Sequence, residues 1–166
     1  MSFLDFPDDD PKRRERRPLL FFVAGTLMVG ALGSVITTPS IPTWYAALAH
    51  PAIAPPNWLF APVWTTLYVL MGFAAWRAWK MCGLNSTAMT LYAIQLALNL
   101  GWSAIFFGLH QIGAALVEIV VLWLAILATT ILFWRADRIA GALLVPYLAW
   151  TGFATVLTEA FWKLNG

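Results

Sequence analysis

Five apolar stretches, at 19–38, 61–79, 88–109, 113–134 and 139–161, restrict this chain more than anything else in it, for together they hold only Arg77, Glu118 and Glu159 as charged residues. Each is about 20 residues long, which at about 1.5 Å rise per residue is the helix needed to cross a hydrocarbon core about 30 Å thick. No water reaches that layer, so each backbone must satisfy its own amides, and the helix does this within one segment. Little of the 166-residue chain is left for anything else. A composition 61% apolar and 11% charged, with a mean hydropathy of +0.74, excludes a disordered chain and an ordinary soluble domain. The expected fold is an all-α membrane protein, a bundle of five transmembrane helices.

The first 18 residues are of another kind, acidic at Asp5, Asp8, Asp9 and Asp10 and then basic at Lys12, Arg13, Arg14, Arg16 and Arg17. Pro7, Pro11 and Pro18 argue against a continuous helix there, so residues 1–18 are expected to form a polar, disordered cytoplasmic tail, with the transmembrane domain at 19–166. A basic stretch before an apolar run also resembles an export signal, but this run is longer than the usual signal core and further spans follow. With the N-terminus inside, the inner segments collect nine of the ten basic residues, the five above with Arg77, Lys80, Arg135 and Arg138, and only Lys163 falls outside. That bias places the N-terminus in the cytoplasm and the C-terminus on the opposite side, and fits an inner or organelle membrane. The connections after the second, third and fourth stretches are short, so those consecutive helices are expected to pack as antiparallel neighbours.

The first connection differs. Residues 39–62 carry six of the ten prolines together with Trp44, Tyr45, Trp58 and Phe60, and no acidic or basic residue. Too proline-rich for regular helix and too apolar for a solvated linker, it reads as a rigid lid over the outer mouth of the bundle, where lids shape binding sites. Of the ten tryptophans, Trp44, Trp76, Trp79, Trp134 and Trp162 lie near helix or loop ends and suit an interfacial belt. Trp64, Trp102, Trp123 and Trp150 lie deeper, and each indole N–H there needs a partner.

The third helix has two faces. At about 100° per residue, Tyr92, Gln95, Asn99, Trp102, Ser103 and Phe106 fall on one side and Ala93, Ala97 and Gly101 on the other. The polar-aromatic side belongs in the bundle, while the small-residue ridge permits close approach of another helix and is a candidate homodimer surface. Glu118 and Glu159, carboxylates at membrane depth, invite a functional reading, but both sit within about two turns of an outer helix end, where snorkelling or a bond to a neighbouring helix would equally account for them. Pro146 removes a backbone hydrogen bond near Tyr147 and Trp150 and is expected to kink the fifth helix.

Conventional catalysis finds little support. One cysteine, Cys82, and two histidines, His50 and His110, offer no disulfide and no metal cluster, no nucleophile or acid–base constellation is legible, and the basic block speaks for topology rather than nucleic acid.

The run from Trp44 to Tyr68, with Pro51, Pro55, Pro56, Trp58, Phe60, Pro62 and Trp64 at their places in it, resembles the signature loop and second helix of the translocator protein family, also called tryptophan-rich sensory protein, TspO/MBR or peripheral benzodiazepine receptor family. Gln95 to Phe107, Ala115 to Glu118 and Pro146 to Thr155 agree, so the likeness extends over about residues 19–165. The resemblance implies a five-helix bundle, usually a homodimer, with a cavity beneath the first loop that takes porphyrins, isoquinoline or benzodiazepine drugs and, in some members, sterols. By motif, Trp44 and Trp150 match tryptophans implicated in porphyrin binding and its light-dependent breakdown. Trp64 and Asn99 match positions that contact a drug's carbonyl, and Ala154 a small residue of the same pocket. Trp58, Tyr68, Trp102, Phe106 and Tyr147 complete the expected ligand-binding set. The family's sterol motif wants a tyrosine where this chain has Phe161, between Val156 or Leu157 and Lys163, so sterol binding is not carried over.

The expected function is therefore binding, transport or sensing of porphyrins and similar hydrophobic ligands. No cofactor is called for, and protoporphyrin IX or haem would be ligand. The alternatives are a light-dependent porphyrin-degrading enzyme, with Trp44 and Trp150 as redox partners of the excited ligand, and a dimeric membrane regulator for which the ligand is a signal.

Overall fold

The structure, a computed structural model, describes residues 11–166, with side chains from residue 16 onward. Its helices are α1 (Pro11–Thr37), α2 (Asn57–Cys82), α3 (Thr87–Ser103), α4 (Ile112–Ala136) and α5 (Arg138–Asn165). A 3-10 turn over Thr38–Ser40 and a π segment over Ile41–Tyr45 prolong α1, and a second π segment over Ala104–Gly108 prolongs α3. The five resulting spans are long and apolar enough to cross a membrane.

Two local expectations are corrected. The tail forecast through residue 18 is helical from Pro11, while residues 1–10 lie outside the described residues. Pro11 stands at the start of the helix, where no N–H is needed, and Pro18 costs only one hydrogen bond in an otherwise uninterrupted helix. The stretch at 39–62 is likewise more helical than its prolines suggest. Pro39 and Pro42 occupy the first positions of the 3-10 and π segments, and Pro56, at φ −58° and ψ 141°, sets the extended residue from which α2 starts. Pro56 lies where its fixed φ helps and its missing N–H matters least, whereas Pro62, in the second turn of α2, costs one backbone bond. Pro146 leaves α5 unbroken.

The part that remains irregular, around residues 48–56, is tied across the bundle. Ala49 N–H donates to Asn165 Oδ1 at 2.8 Å and Asn165 Nδ2 returns a bond to Ala49 O at 3.0 Å. Tyr45 is buried against the rings of Phe107 and Phe161, and Ser40 Oγ donates to Phe107 O at 2.7 Å. The lid is thus pinned to α5 and to the end of α3.

The helices form a closed ring in which α1 packs on α2, α2 on α5, α5 on α4, α4 on α3, and α3 returns to α1. The α2–α3 pair corrects the neighbour rule, for these two touch only sparingly despite the short connection at Gly83. Small residues give α2 tighter partners. A Cβ at Gly72 would lie 2.6 Å from Val23 Cα, so α1 takes that face, and the buried Ala74, Ala75 and Ala78 leave space for other helices. At the opposite end of the bundle from the lid, Arg77 holds α2 to the α4–α5 corner, its Nε donating to Asp137 Oδ2 at 2.8 Å.

Asp137 also caps α5 by accepting from the amides of Ile139 and Ala140. Partial burial favours its neutral acid, but the Arg77 hydrogen bond, the two amides and the guanidinium charge outweigh that and hold the carboxyl below its ordinary value. A depressed carboxylate contributes stability above its unfolded pKa of about 3.9 and loses it as pH falls through the folded value. Asp137→Ala is expected to cost about 1–2 kcal/mol at neutral pH, and the gap to wild type should shrink below about pH 4, as unfolding in mixed micelles would measure. A gap that stays constant down to pH 3 would exclude this role.

Candidate functional site

Beneath the lid, α1, α2, α3 and α5 enclose a cavity of about 460 Å³. Aromatic rings dominate its wall: Trp64 from α2, Trp102 and Phe106 from the α3 span, Trp150 and Phe161 from α5, and Tyr45 from the lid. These rings brace one another, Trp102 stacking on Phe106 at 5.1 Å and Phe60 meeting Trp150 edge-on at 6.0 Å.

The cavity floor is polar and fully interior. Tyr68 Oη donates to Asn99 Oδ1 at 2.7 Å, Asn99 Nδ2 donates to Tyr147 Oη at 3.1 Å, and Tyr147 Oη donates to Gln95 Oε1 at 3.0 Å. One relay therefore joins α2, α3 and α5 and satisfies these buried groups, which fixes the relative rotation of the three helices. Gln95 Nε2 and Tyr92 Oη, one turn further from the lid, are buried with no partner.

Trp64, Tyr68, Asn99 and Trp102 from the expected binding set line the cavity, as do Phe106, Trp150 and Ala154. Three do not. Trp44 turns toward the α3–α4 turn, stacked on His110 with ring centres 4.3 Å apart and set edge-on behind Phe106. Trp58, in the first turn of α2, is 72% exposed. Tyr147 is buried behind Asn99 as a member of the floor. The pairing of Trp44 with Trp150 across one ligand is thus not formed on the cavity wall, since Trp44, in the π segment, packs on His110 and Phe106 instead.

Sequence reasoning passed over α1, which supplies Leu27, Gly30, Ala31, Gly33 and Ser34 to the wall, and over Tyr45 and Phe161 as cavity residues. The signal available was the cluster of small residues in an otherwise bulky apolar run. Among the deep tryptophans, Trp123 Nε1 donates to Leu148 O at 3.1 Å, whereas Trp102 Nε1 is buried without a partner. Trp76, assigned to the belt, also has its N–H buried and unpaired, while the Lys80 ammonium sits 4.7 Å from its ring centre. Belt position alone did not decide this residue, because the face of α2 that carries it packs inward.

Ala93 and Ala97 are exposed on the outer face of α3, as the periodicity required, and Gly101 is half-buried beside α4. A Cβ on Gly101 would lie 3.6 Å from Glu118 Oε1, and both oxygens of Glu118 are buried with no partner, so this carboxyl neither snorkels nor bonds a neighbour. Glu159 does pair, with Lys163 at 2.6 Å on the exposed end of α5. No group of three His, Cys, Asp or Glu side chains gathers as metal donors among the described residues.

The sequence model of the TspO/MBR family matches residues 22–163. The chain belongs to the TspO/MBR family. It is 45% identical over 143 residues to the tryptophan-rich protein TspO of Chlorobaculum tepidum, covering 84% of this chain and 90% of that one. It is 38% identical over 149 residues to protein CrtK of Rhodobacter capsulatus (88% and 91% covered) and 43% identical over 126 residues to the translocator protein of Homo sapiens (74% and 75%). Membership of the TspO/MBR family and the five apolar spans make this an integral, multi-pass membrane protein.

Proposed function

We propose that this TspO/MBR protein binds porphyrins and related tetrapyrroles in the cavity beneath the lid, and carries or senses them in the membrane. The observation that carries the reading is a cavity of about 460 Å³ walled by indole and phenyl faces with amide and hydroxyl groups at its floor. A flat, largely apolar macrocycle stacks on such faces and finds a few donors for its polar edge. Isoquinoline and benzodiazepine type drugs share that character, and Asn99, which keeps a second amide N–H after bonding Tyr147, is the donor for a drug carbonyl.

The proposal includes an orientation. Arg77, Lys80, Arg135 and Arg138 lie at the helix ends away from the lid and Lys163 at the lid end, a bias that supports an N-terminus in the cytoplasm and a lid on the far side. It also includes a homodimer through Ala93 and Ala97. Ala97→Leu is expected to halve the particle mass in detergent, and an unchanged dimer would remove this interface; Gly101 is the poorer test because Glu118 stands beside it.

The deciding experiment is titration of the purified protein with protoporphyrin IX, followed by tryptophan quenching in the dark and by absorbance under light. Saturable dark binding, weakened about tenfold or more by Trp150→Phe and little by Trp44→Phe, is the expected result. Absence of saturation would refute the binding reading. A light-dependent product that disappears in Trp150→Phe would instead favour the porphyrin-degrading enzyme.

A further inference from the structure

α1 changes partner half-way along its length. In the half away from the lid it is fastened to α2: Thr26 Oγ1 donates to Tyr68 O at 2.9 Å, Gly72 faces the Val23 backbone, and a Cβ on Gly30 would lie 2.5 Å from the Tyr68 ring. Beyond Gly30 it leans on α3 instead. Gly33 faces Ser103 and Leu100, Ile36 lies against Gly108, and Ser40 bonds Phe107 O. α2 meanwhile stays with α5, Trp64 lying edge-on to Tyr147 at 6.1 Å.

The lid-side halves of α1 and α2 therefore part, and the gap runs into the cavity. Ala31, Ser34 and Thr38 of α1 and Asn57, Ala61 and Thr65 of α2 line the cavity and are all exposed. Residues that line a cavity and stay exposed mark its open side. Its depth decides what it faces: the apolar run of α1 ends near Thr38, so Ala31 lies about 10 Å further in, within the hydrocarbon layer. The Thr65 hydroxyl, which would be costly to present to acyl chains, is already bonded to Ala61 O at 2.8 Å. The other ends are held, by the Ala49–Asn165 tie at the lid and by the Tyr68–Asn99–Tyr147 relay at the floor.

We propose that the gap between α1 and α2 is a lateral port through which the cavity exchanges its ligand with the bilayer, so that the ligand is a molecule taken from the lipid phase rather than from water. The proposal rests on the cavity being a ligand site, and its test uses no porphyrin.

Ala154→Cys in a Cys82→Ser background places one thiol on the cavity wall of protein held in lipid nanodiscs. Lipid-partitioning N-phenylmaleimide is expected to label it faster than a membrane-impermeant charged methanethiosulfonate, relative to each reagent's rate with a free thiol. Adding Ala31→Trp and Ala61→Trp should slow the maleimide about tenfold or more, as closing a gate does. Ala31→Leu alone should slow it measurably, which covers the case of a double variant that does not fold. Val35→Trp, on α1 but turned to lipid and 73% exposed, should leave the rate as it was. Faster labelling by the charged reagent, or a maleimide rate untouched by the bulky rim residues, would overturn the port in favour of access past the lid. A wild type that failed to bind protoporphyrin IX would count against the ligand reading and leave these rates as they are.

Discussion

Leucine at position 72 is expected to unfasten α1 from α2 and to lower stability by about 3 kcal/mol or more. The first added carbon would lie 2.6 Å from Val23 Cα, 2.7 Å from Thr26 Oγ1 and 3.0 Å from Phe22 O. Two of those three atoms are backbone and cannot rotate aside, so the whole helix must shift. The shift takes with it the bond from Thr26 to Tyr68 O, and Tyr68 is the residue whose hydroxyl begins the polar relay under the cavity. One substitution at a helix crossing thus reaches the site. Gly25 provides the control, since nothing lies within 4 Å of a Cβ there. Gly25→Ala should leave stability unchanged or raise it by up to about 1 kcal/mol, because alanine is the better helix former. Unfolding in mixed micelles distinguishes the two, and a Gly72→Leu protein as stable as wild type would show that the α1–α2 crossing is looser than described.

The second large effect concerns the cavity. Ala154 lies one turn from Trp150 and one turn from Thr158 on the same wall of α5, so Ala154→Trp projects an indole into the space itself. Affinity for protoporphyrin IX should fall about 100-fold or more, a loss of roughly 3 kcal/mol, while the helices stay assembled. Tyr147→Phe should do the reverse. Its hydroxyl accepts from Asn99 and donates to Gln95, and removing it orphans two buried groups. A stability loss of about 1–2 kcal/mol with affinity changed by less than about threefold is expected. If Ala154→Trp bound the porphyrin normally, the ligand would have to lie elsewhere; if Tyr147→Phe abolished binding at full stability, Tyr147 would belong to the site rather than to its floor.

Much of the site was legible beforehand because α3 is strictly periodic. Tyr92, Gln95, Asn99 and Phe106 are buried and Ala93 and Ala97 exposed, as one polar-aromatic face and one small-residue face require. Trp64, Trp102 and Trp150 reached the cavity for a reason visible in the sequence, since an indole deep in a span must face something other than lipid. Trp44 and Trp58 were misplaced because their directions depend on the lid. Whether a proline-rich stretch is loop or helix end turns on where each proline falls relative to a helix start, and Pro39, Pro42 and Pro56 all fall at such starts. Glu118 was unreadable for a similar reason: nothing in its own helix reveals that it points at Gly101 on another.

The sequence by itself determined the number of spans and their helicity. The thickness of a hydrocarbon layer and the cost of an unsatisfied amide inside it act on each segment separately, and a local property can be read locally. Only the tertiary structure decided which helices are neighbours, that α2 follows α5 rather than α3, and that α1 leaves α2 at Gly30 to rest on α3. Inside a membrane most of each helix surface is apolar, so hydropathy can mark an inward face, as on α3, but cannot say which helix that face meets. That choice is made by glycines that let backbones touch and by a few polar side chains seeking partners, and both depend on residues far away in the chain.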